Sequence, residues 1–299
     1  MDIKQKQTEN IFSYKWAKED TYESEEFKKN AYDWEVERYF GSEEKRTEFF
    51  EKSTNKSFLD AGCGSGFSAE VLFSEYLKNI EYTGVDISDA VWIAKHKLEK
   101  ITDTNKIFFY QDNIETMNLN KQYDFIFSEG VIHHTSNPYN TFQNLTKHLK
   151  VGGTILFYVY KKKAPLREFT DDYIRETLKD LSNDEAWEKL IPLTKLGKKL
   201  GEIHTNIEID EDIDLLGIKK GTYDLQRFFY WFVAKAYYKE NYSIEEMNHI
   251  NFDWYRPTNC YRYDPEEIKM WLKNNNYITE RFIVEDAGIT VVATKEKEA

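Results

Sequence analysis

Phe58-Leu-Asp-Ala-Gly-Cys-Gly-Ser-Gly-Phe67 decides how the rest of the chain is read. A short apolar run enters a turn with glycines at alternate positions, Gly62, Gly64 and Gly66, and a helical pattern opens at Phe67-Ser-Ala-Glu-Val-Leu-Phe73. Glycine lets backbone approach a ligand where a Cβ would collide, and a strand–turn–helix of this kind turns its amide groups toward that ligand.

Outward from this turn, residues 56–160 alternate short apolar runs with helical ones. The strands expected are Ser57–Ala61, Tyr82–Asp86, Ile107–Gln111, Tyr123–Ser128 and Thr154–Tyr160. Between them, helices are expected at Ser65–Leu77, Asp89–Lys100 and Pro138–Lys150, with Asp89 as an N-cap, Asn137-Pro138 placing Pro at a first helical position and Val151-Gly152-Gly153 as the stop. Strands alternating with helices imply a parallel sheet covered on both faces, a doubly wound α/β fold.

The rhythm is lost from Lys161 to about Asp264, where helical segments at Asp171–Leu181, Asp184–Leu190 and Tyr223–Lys239 suggest an inserted, mainly helical cap. It returns in a helix after Asp264-Pro265 and in two strands, Tyr277–Glu285 and Ile289–Lys295, which predict a C-terminal antiparallel hairpin. Residues 1–50 carry aromatics at helical spacings and read as a helical layer or lid, in which Tyr14 and Trp16 are candidates to close over a ligand. The domains expected are therefore 1–50, a core of 51–160 with 265–299, and a substrate-binding cap of 161–264.

Composition narrows the function. The chain of 299 residues has a net charge of -12, which disfavours nucleic-acid binding because phosphate neutralisation needs clustered Lys and Arg. No apolar run approaches the roughly 18–20 residues that cross a bilayer, and no secretory signal pattern opens the chain, so no membrane partner is expected and the cytoplasm is the expected location. Cys63 and Cys260 form no framework, and no metal-ligand spacing is found, His133-His134 lacking partners.

In a doubly wound sheet, ligands bind beyond the C-terminal ends of the strands. Those ends supply Asp60, then Asp86-Ile87, then Asp112-Asn113-Ile114, then Ser128-Glu129 followed by His133-His134. An acid at Asp86 can accept both hydroxyls of a ribose, and Asp112 or Asn113 can read an exocyclic amine. Helix capping at Asp86 and a solvated turn at Asp112 are the plainer readings of these residues. The turn and both acids in this order at strand ends outweigh either alone.

Leu59-Asp-Ala-Gly-Cys-Gly-Ser-Gly66, with Gly84-Val-Asp-Ile-Ser88, Gln111-Asp-Asn-Ile114, Tyr123-Asp-Phe-Ile126 and Leu149-Lys-Val-Gly-Gly153, resembles the class I S-adenosylmethionine-dependent methyltransferases. The resemblance covers 56–160 closely and 265–295 in pattern. It implies a Rossmann-like, mostly parallel seven-stranded sheet, with S-adenosyl-L-methionine as cofactor and S-adenosyl-L-homocysteine as product. It further implies that Asp60, Gly62, Gly64 and Gly66 surround the methionine part, that Asp86 holds the ribose with Ile87 against the adenine, and that Asp112, Asn113 and Ile114 recognise the adenine edge. Ser128 and Glu129 would line the site near the sulfonium.

The expected reaction is methyl transfer to an oxygen or nitrogen of a small polar metabolite, such as a sugar or natural-product intermediate. His133 and His134 are the candidate bases or acceptor contacts, since His titrates near neutral pH, or else they shape the turn before Pro138. Asp253, Tyr255 and Arg256 are the further acceptor candidates, as polar groups among aromatics, beside the plainer reading that Trp254 and Tyr255 anchor the cap. The aromatic run Gln226–Tyr238 is expected to be cap core or a homodimer contact. An NAD-dependent oxidoreductase, disfavoured by the glycine spacing, and a non-catalytic cofactor-binding module are the competing readings.

Overall fold

The computed structural model describes residues 3–102 and 105–297. The chain divides into two compact units, one of residues 1–17, 28–161 and 261–299, the other of residues 18–27 and 162–260.

The first unit is built on a seven-stranded sheet. In chain order its strands are β1 (Ser57–Ala61), β2 (Glu81–Asp86), β3 (Ile107–Gln111), β4 (Tyr123–Glu129) and β5 (Leu149–Tyr160), and later β8 (Tyr277–Val284) and β9 (Gly288–Lys295). The spatial order is β3-β2-β1-β4-β5-β9-β8. Strands β1 to β5 are parallel, and β9 runs antiparallel between β5 and β8. Every residue of β1 is buried, as a central parallel strand with helices on both faces requires. Asp60 pairs with Gly84 on one side and Phe127 on the other, so the register brings the ends of β1, β2 and β4 to one rim.

The helices of this unit are α1 (Ile3–Trp16), most of α2 (Glu25–Tyr39), α3 (Glu43–Glu51), α4 (Phe67–Phe73), α5 (Ala90–Ile101), α6 (Pro138–His148) and α11 (Pro265–Asn274). Local chemistry sets several starts. The Ser42 hydroxyl accepts from Lys45 N, and Asn137 accepts from Asn140 N ahead of Pro138. The Glu267 carboxylate accepts from Asp264 N at 2.9 Å.

Some expected boundaries are displaced. Asp89 precedes α5 without a side-chain capping bond. Helix α4 is shorter than expected and passes into a 3-10 turn at Ser74–Asn79. Val151-Gly152-Gly153 does not end a helix, because α6 stops at His148 and β5 already begins at Leu149, with Gly152 at φ +78°.

The second unit contains α7 (Pro165–Leu178), α8 (Asn183–Glu202), the hairpin of β6 (Asn206–Ile209) and β7 (Gly221–Asp224), α9 (Leu225–Phe232) and α10 (Ile244–Tyr255). Ser182 with Glu185 and Ser243 with Glu246 form reciprocal capping boxes at α8 and α10. The helix expected over Tyr223–Lys239 is a strand end, the short α9 and an irregular segment. That segment is held open by side chains: Asn251 Oδ1 accepts from Tyr237 N, and Gln226 Nε2 donates to Ala236 O. It also runs so close to α8 that a Cβ on Gly197 would stand 2.4 Å from Ala236 O. Residues 18–27 belong to this unit through Thr21 Oγ1, 2.7 Å from His249 Nδ1, and Phe27 stacked on Tyr242.

Candidate functional site

The glycine turn leaves β1 with Gly62, Gly64 and Gly66 at φ of +91°, +51° and +73°, the left-handed backbone that side chains resist. A Cβ at Gly62 would stand 2.3 Å from Val131, and one at Gly64 would stand 2.7 Å from the Trp16 indole nitrogen. Trp16, which also stacks on Phe67, therefore lies directly on the turn. Its neighbours on α1 reach the same rim. Ser13 Oγ accepts from Asp89 N, Gln5 Oε1 accepts from Ser136 Oγ, and Phe12 meets His134 edge-on. Tyr14 is half-buried on the same helix.

Asp86, at the end of β2, fixes the turn from below. One carboxylate oxygen accepts from Gly64 N at 2.8 Å, and the other accepts from Ser88 N and Ser88 Oγ at 2.8 and 2.6 Å. Burial pushes this carboxyl up, and those same bonds oppose the rise. Asp60 accepts from the Tyr82 hydroxyl, and burial, with Asp86 nearby, raises its pKa to about 7. Asp112 and Asn113, exposed and half-buried beyond β3, shape their own turn, Asp112 Oδ1 accepting from Asn113 N and Asn113 Oδ1 from Glu115 N. Ile87 is half-buried and Ile114 is buried in the core below.

At β4 one expectation changes. Ser128 is fully buried and its hydroxyl donates to Ala61 O at 2.8 Å, so it clamps β4 to β1 and does not offer that hydroxyl to a ligand. Glu129 is held by two groups of α2, accepting from Arg38 Nη2 at 2.8 Å and from the Tyr39 hydroxyl at 2.5 Å. The Arg38 guanidinium also lies against the rings of Trp34 and Tyr158, which meet edge to face.

The acid that the sequence reading missed is Glu35, one turn before Arg38. It is only 3% exposed; one oxygen accepts from Ser68 Oγ at 3.0 Å, and the other, Oε2, is buried without a hydrogen-bond partner. Burial first, and then the charge of Glu129, raise its pKa to about 8. Ser65 Oγ, within the glycine turn, and Arg38 Nε are likewise buried without a partner. Orphaned polar atoms of this kind mark an incomplete site, because leaving them unpaired costs stability. Glu35, Asp60, Asp86 and Glu129 make it rich in acids. A ligand with positive charge and polar ends, as S-adenosylmethionine is with its sulfonium and ammonium, fits the residues present.

His133 and His134 occupy a 3-10 turn after β4, and both are buried. The His133 ring lies 3.7 Å from that of Tyr160, centroid to centroid, and its backbone carbonyl accepts from Tyr261 N.

The remaining acceptor candidates lie in the other unit, at the end of α10. Asp253 is half-buried. Tyr255 is fully buried, its hydroxyl donating to Asp171 Oδ1 at 2.7 Å and accepting from Lys235 N. Arg256 donates from Nε to Asn183 Oδ1 and from Nη2 to Leu181 O. The Tyr255 hydroxyl and two of the three Arg256 nitrogens thus bond within the unit, and Arg256 Nη1 is buried without a hydrogen-bond partner. Asp171 is the centre of that network, accepting also from Arg167 Nε at 2.6 Å and Trp254 Nε1 at 2.8 Å. Among the described residues no group of three or more His, Cys, Asp or Glu is arranged to hold a metal, and no helix is long and apolar enough to cross a membrane.

The chain is similar to known methyltransferases over part of its length. Malonyl-[acyl-carrier protein] O-methyltransferase 2 of Ilyobacter polytropus is 30% identical over 158 residues, which cover 52% of this chain and 57% of that protein. The tRNA U34 carboxymethyltransferase of Alteromonas mediterranea is 29% identical over 106 residues, covering 34% of this chain and 31% of that one. The chain thus spans little more than half the length of the first relative, and less of the second. A solved S-adenosylmethionine-dependent methyltransferase from Clostridium acetobutylicum superposes with a TM-score of 0.45 at 15% identity, over 90% of this chain and 99% of that one. Residues 52–211 match the family described as a methyltransferase domain. The chain belongs to that methyltransferase family, with the class I sheet order and S-adenosyl-L-methionine as its cofactor.

Proposed function

We propose that the protein transfers a methyl group to an oxygen or nitrogen of a small polar acceptor. The observation that carries the reading is the acid-lined glycine turn, with orphaned Ser65 and Glu35 oxygens, on a chain that matches a methyltransferase family. When bound, the cofactor supplies an electrophilic methyl on a sulfonium. The protein's part is then to bind, orient and exclude water, which together account for several kcal/mol of barrier. Gly62, Gly64 and Gly66 supply backbone to the methionine part, Asp86 and Ile87 flank the nucleoside, and Asp112 and Asn113 take the adenine edge. Trp16 covers the turn from α1.

An oxygen acceptor is favoured by the relatives named for malonyl-carrier O-methylation. A nucleic-acid acceptor is disfavoured by the net charge of -12. His133 or His134 serves as base or acceptor contact, with Tyr14 as a further acceptor contact. The close, tilted contact of His133 with Tyr160 favours a second reading in which the pair only shapes the wall.

The test is methyl transfer from labelled S-adenosylmethionine into a fractionated cell extract. Label in small metabolites, identified by mass spectrometry, is expected. Label confined to RNA or carrier protein overturns the acceptor class. In the same assay His133→Ala or His134→Ala is expected to slow transfer about 100-fold, the scale of general acid–base catalysis. Near-normal turnover in both leaves only the wall-shaping role.

A further inference from the structure

Glu35 has no place in the sequence motif, yet it is the least satisfied carboxyl of the first unit's site. It projects from α2, is 3% exposed, and has Ser68 Oγ of α4 on one oxygen and no partner on the other. The charged groups that act on it are Glu129 of β4, Asp60 of β1 and Arg38 of its own helix. Arg38 draws the Glu35 carboxyl down but only partly offsets burial and Glu129, because two of its nitrogens bond Glu129 and Thr290. Two further acids and one committed arginine leave a local deficit of positive charge. Beside the same acids runs the glycine turn, where Ser65 Oγ is fully buried and unpartnered. A buried acid amid like charges is costly unless a cation completes it.

We propose that Glu35 receives the ammonium of the cofactor's amino-acid end, a binding residue supplied by α2 and not by the sheet. The inference rests on the cofactor assignment and extends it to a residue outside the family motif. Before binding, burial and Glu129 keep the Glu35 carboxyl protonated at neutral pH, with a pKa of about 8. An ammonium placed beside it favours the carboxylate, so one proton leaves Glu35 for solvent as the cofactor binds.

Calorimetry tests this with two probes, S-adenosylhomocysteine, which has the amino-acid end, and 5′-methylthioadenosine, which lacks it. Titrations at pH 7 in buffers of different ionisation enthalpy count the protons released. Wild type is expected to release about one proton more with S-adenosylhomocysteine than Glu35→Gln does. Glu35→Gln should weaken S-adenosylhomocysteine about 10- to 100-fold, the range of a charge-assisted hydrogen bond, and leave methylthioadenosine within about 3-fold. Equal weakening of both probes, or of neither, overturns the proposal. Should the variant not fold, wild type alone decides. Its affinity for S-adenosylhomocysteine, but not for methylthioadenosine, must rise from pH 6 to 8, and parallel profiles overturn the assignment. Failure of wild type to bind either probe is a separate result, which overturns the cofactor reading beneath it.

Discussion

Two buried acids, one in each unit, show opposite solutions to the same problem. Asp171 in the second unit is 1% exposed and receives Arg167, Trp254 and Tyr255, so its charge is matched and its lone pairs are filled. Glu35 in the first unit is almost as deeply buried but has one hydroxyl partner and two acidic neighbours. Full satisfaction marks a group that holds its own fold together. Partial satisfaction at a rim marks a group arranged for something that arrives later. The contrast separates structural from ligand-directed polar residues without reference to any motif.

The largest expected effect falls on the satisfied side. Asp171→Ala strips three donors of their acceptor and leaves Arg167 charged and buried. Denaturant unfolding should show a loss of about 3–5 kcal/mol. A loss under about 1 kcal/mol would break the comparison, since Asp171 would then carry no more than an exposed group.

The second expectation concerns pH. Glu35 and Asp60 have ordinary carboxyl pKa values of 4.5 and 3.8 but stand at about 8 and 7 in the fold. Between about pH 4 and 8 the unfolded chain gives up these protons while the folded chain keeps them. Stability contributed by the neutral forms is therefore lost as pH rises through that window and is level above it. Thermal melts of the cofactor-free protein should fall across this range, and Glu35→Gln should flatten part of the slope. An unchanged slope in the variant would mean that Glu35 ionises normally.

The smallest effect sharpens the division within the site itself. Ser128→Ala removes the hydroxyl that joins β4 to Ala61 O, and should cost about 1 kcal/mol of stability. S-adenosylhomocysteine affinity should stay within about 3-fold. A larger loss of affinity would return Ser128 to the ligand's wall.

The core was legible because its physics is local. A fully buried parallel strand is mostly apolar, and a turn with three left-handed positions in five residues strongly favours glycine, so β1, the glycine turn, Asp60 and Asp86 stand out in the sequence. Helix α10 was also within reach, since Ser243-x-x-Glu246 spells a capping box, but the aromatics around Asn251–Pro257 drew the reading toward a pocket. Glu35 was not legible. It sits among the charged residues of α2, where an acid looks like part of a solvated face, and only the packing of α2 near α4 and β4 buries it. The β6–β7 hairpin, four residues to a strand with alternating half-exposed positions, was too short to register against its helical surroundings.

The indole of Trp16 has an optical consequence. It lies on Gly64, stacks on Phe67, and has the Lys15 ammonium 4.1 Å from its ring centroid. Its excited state therefore senses the charge and polarity at the glycine turn. The emission lost in a Trp16→Phe protein, set against the other six tryptophans, becomes a built-in reporter of what occupies that turn.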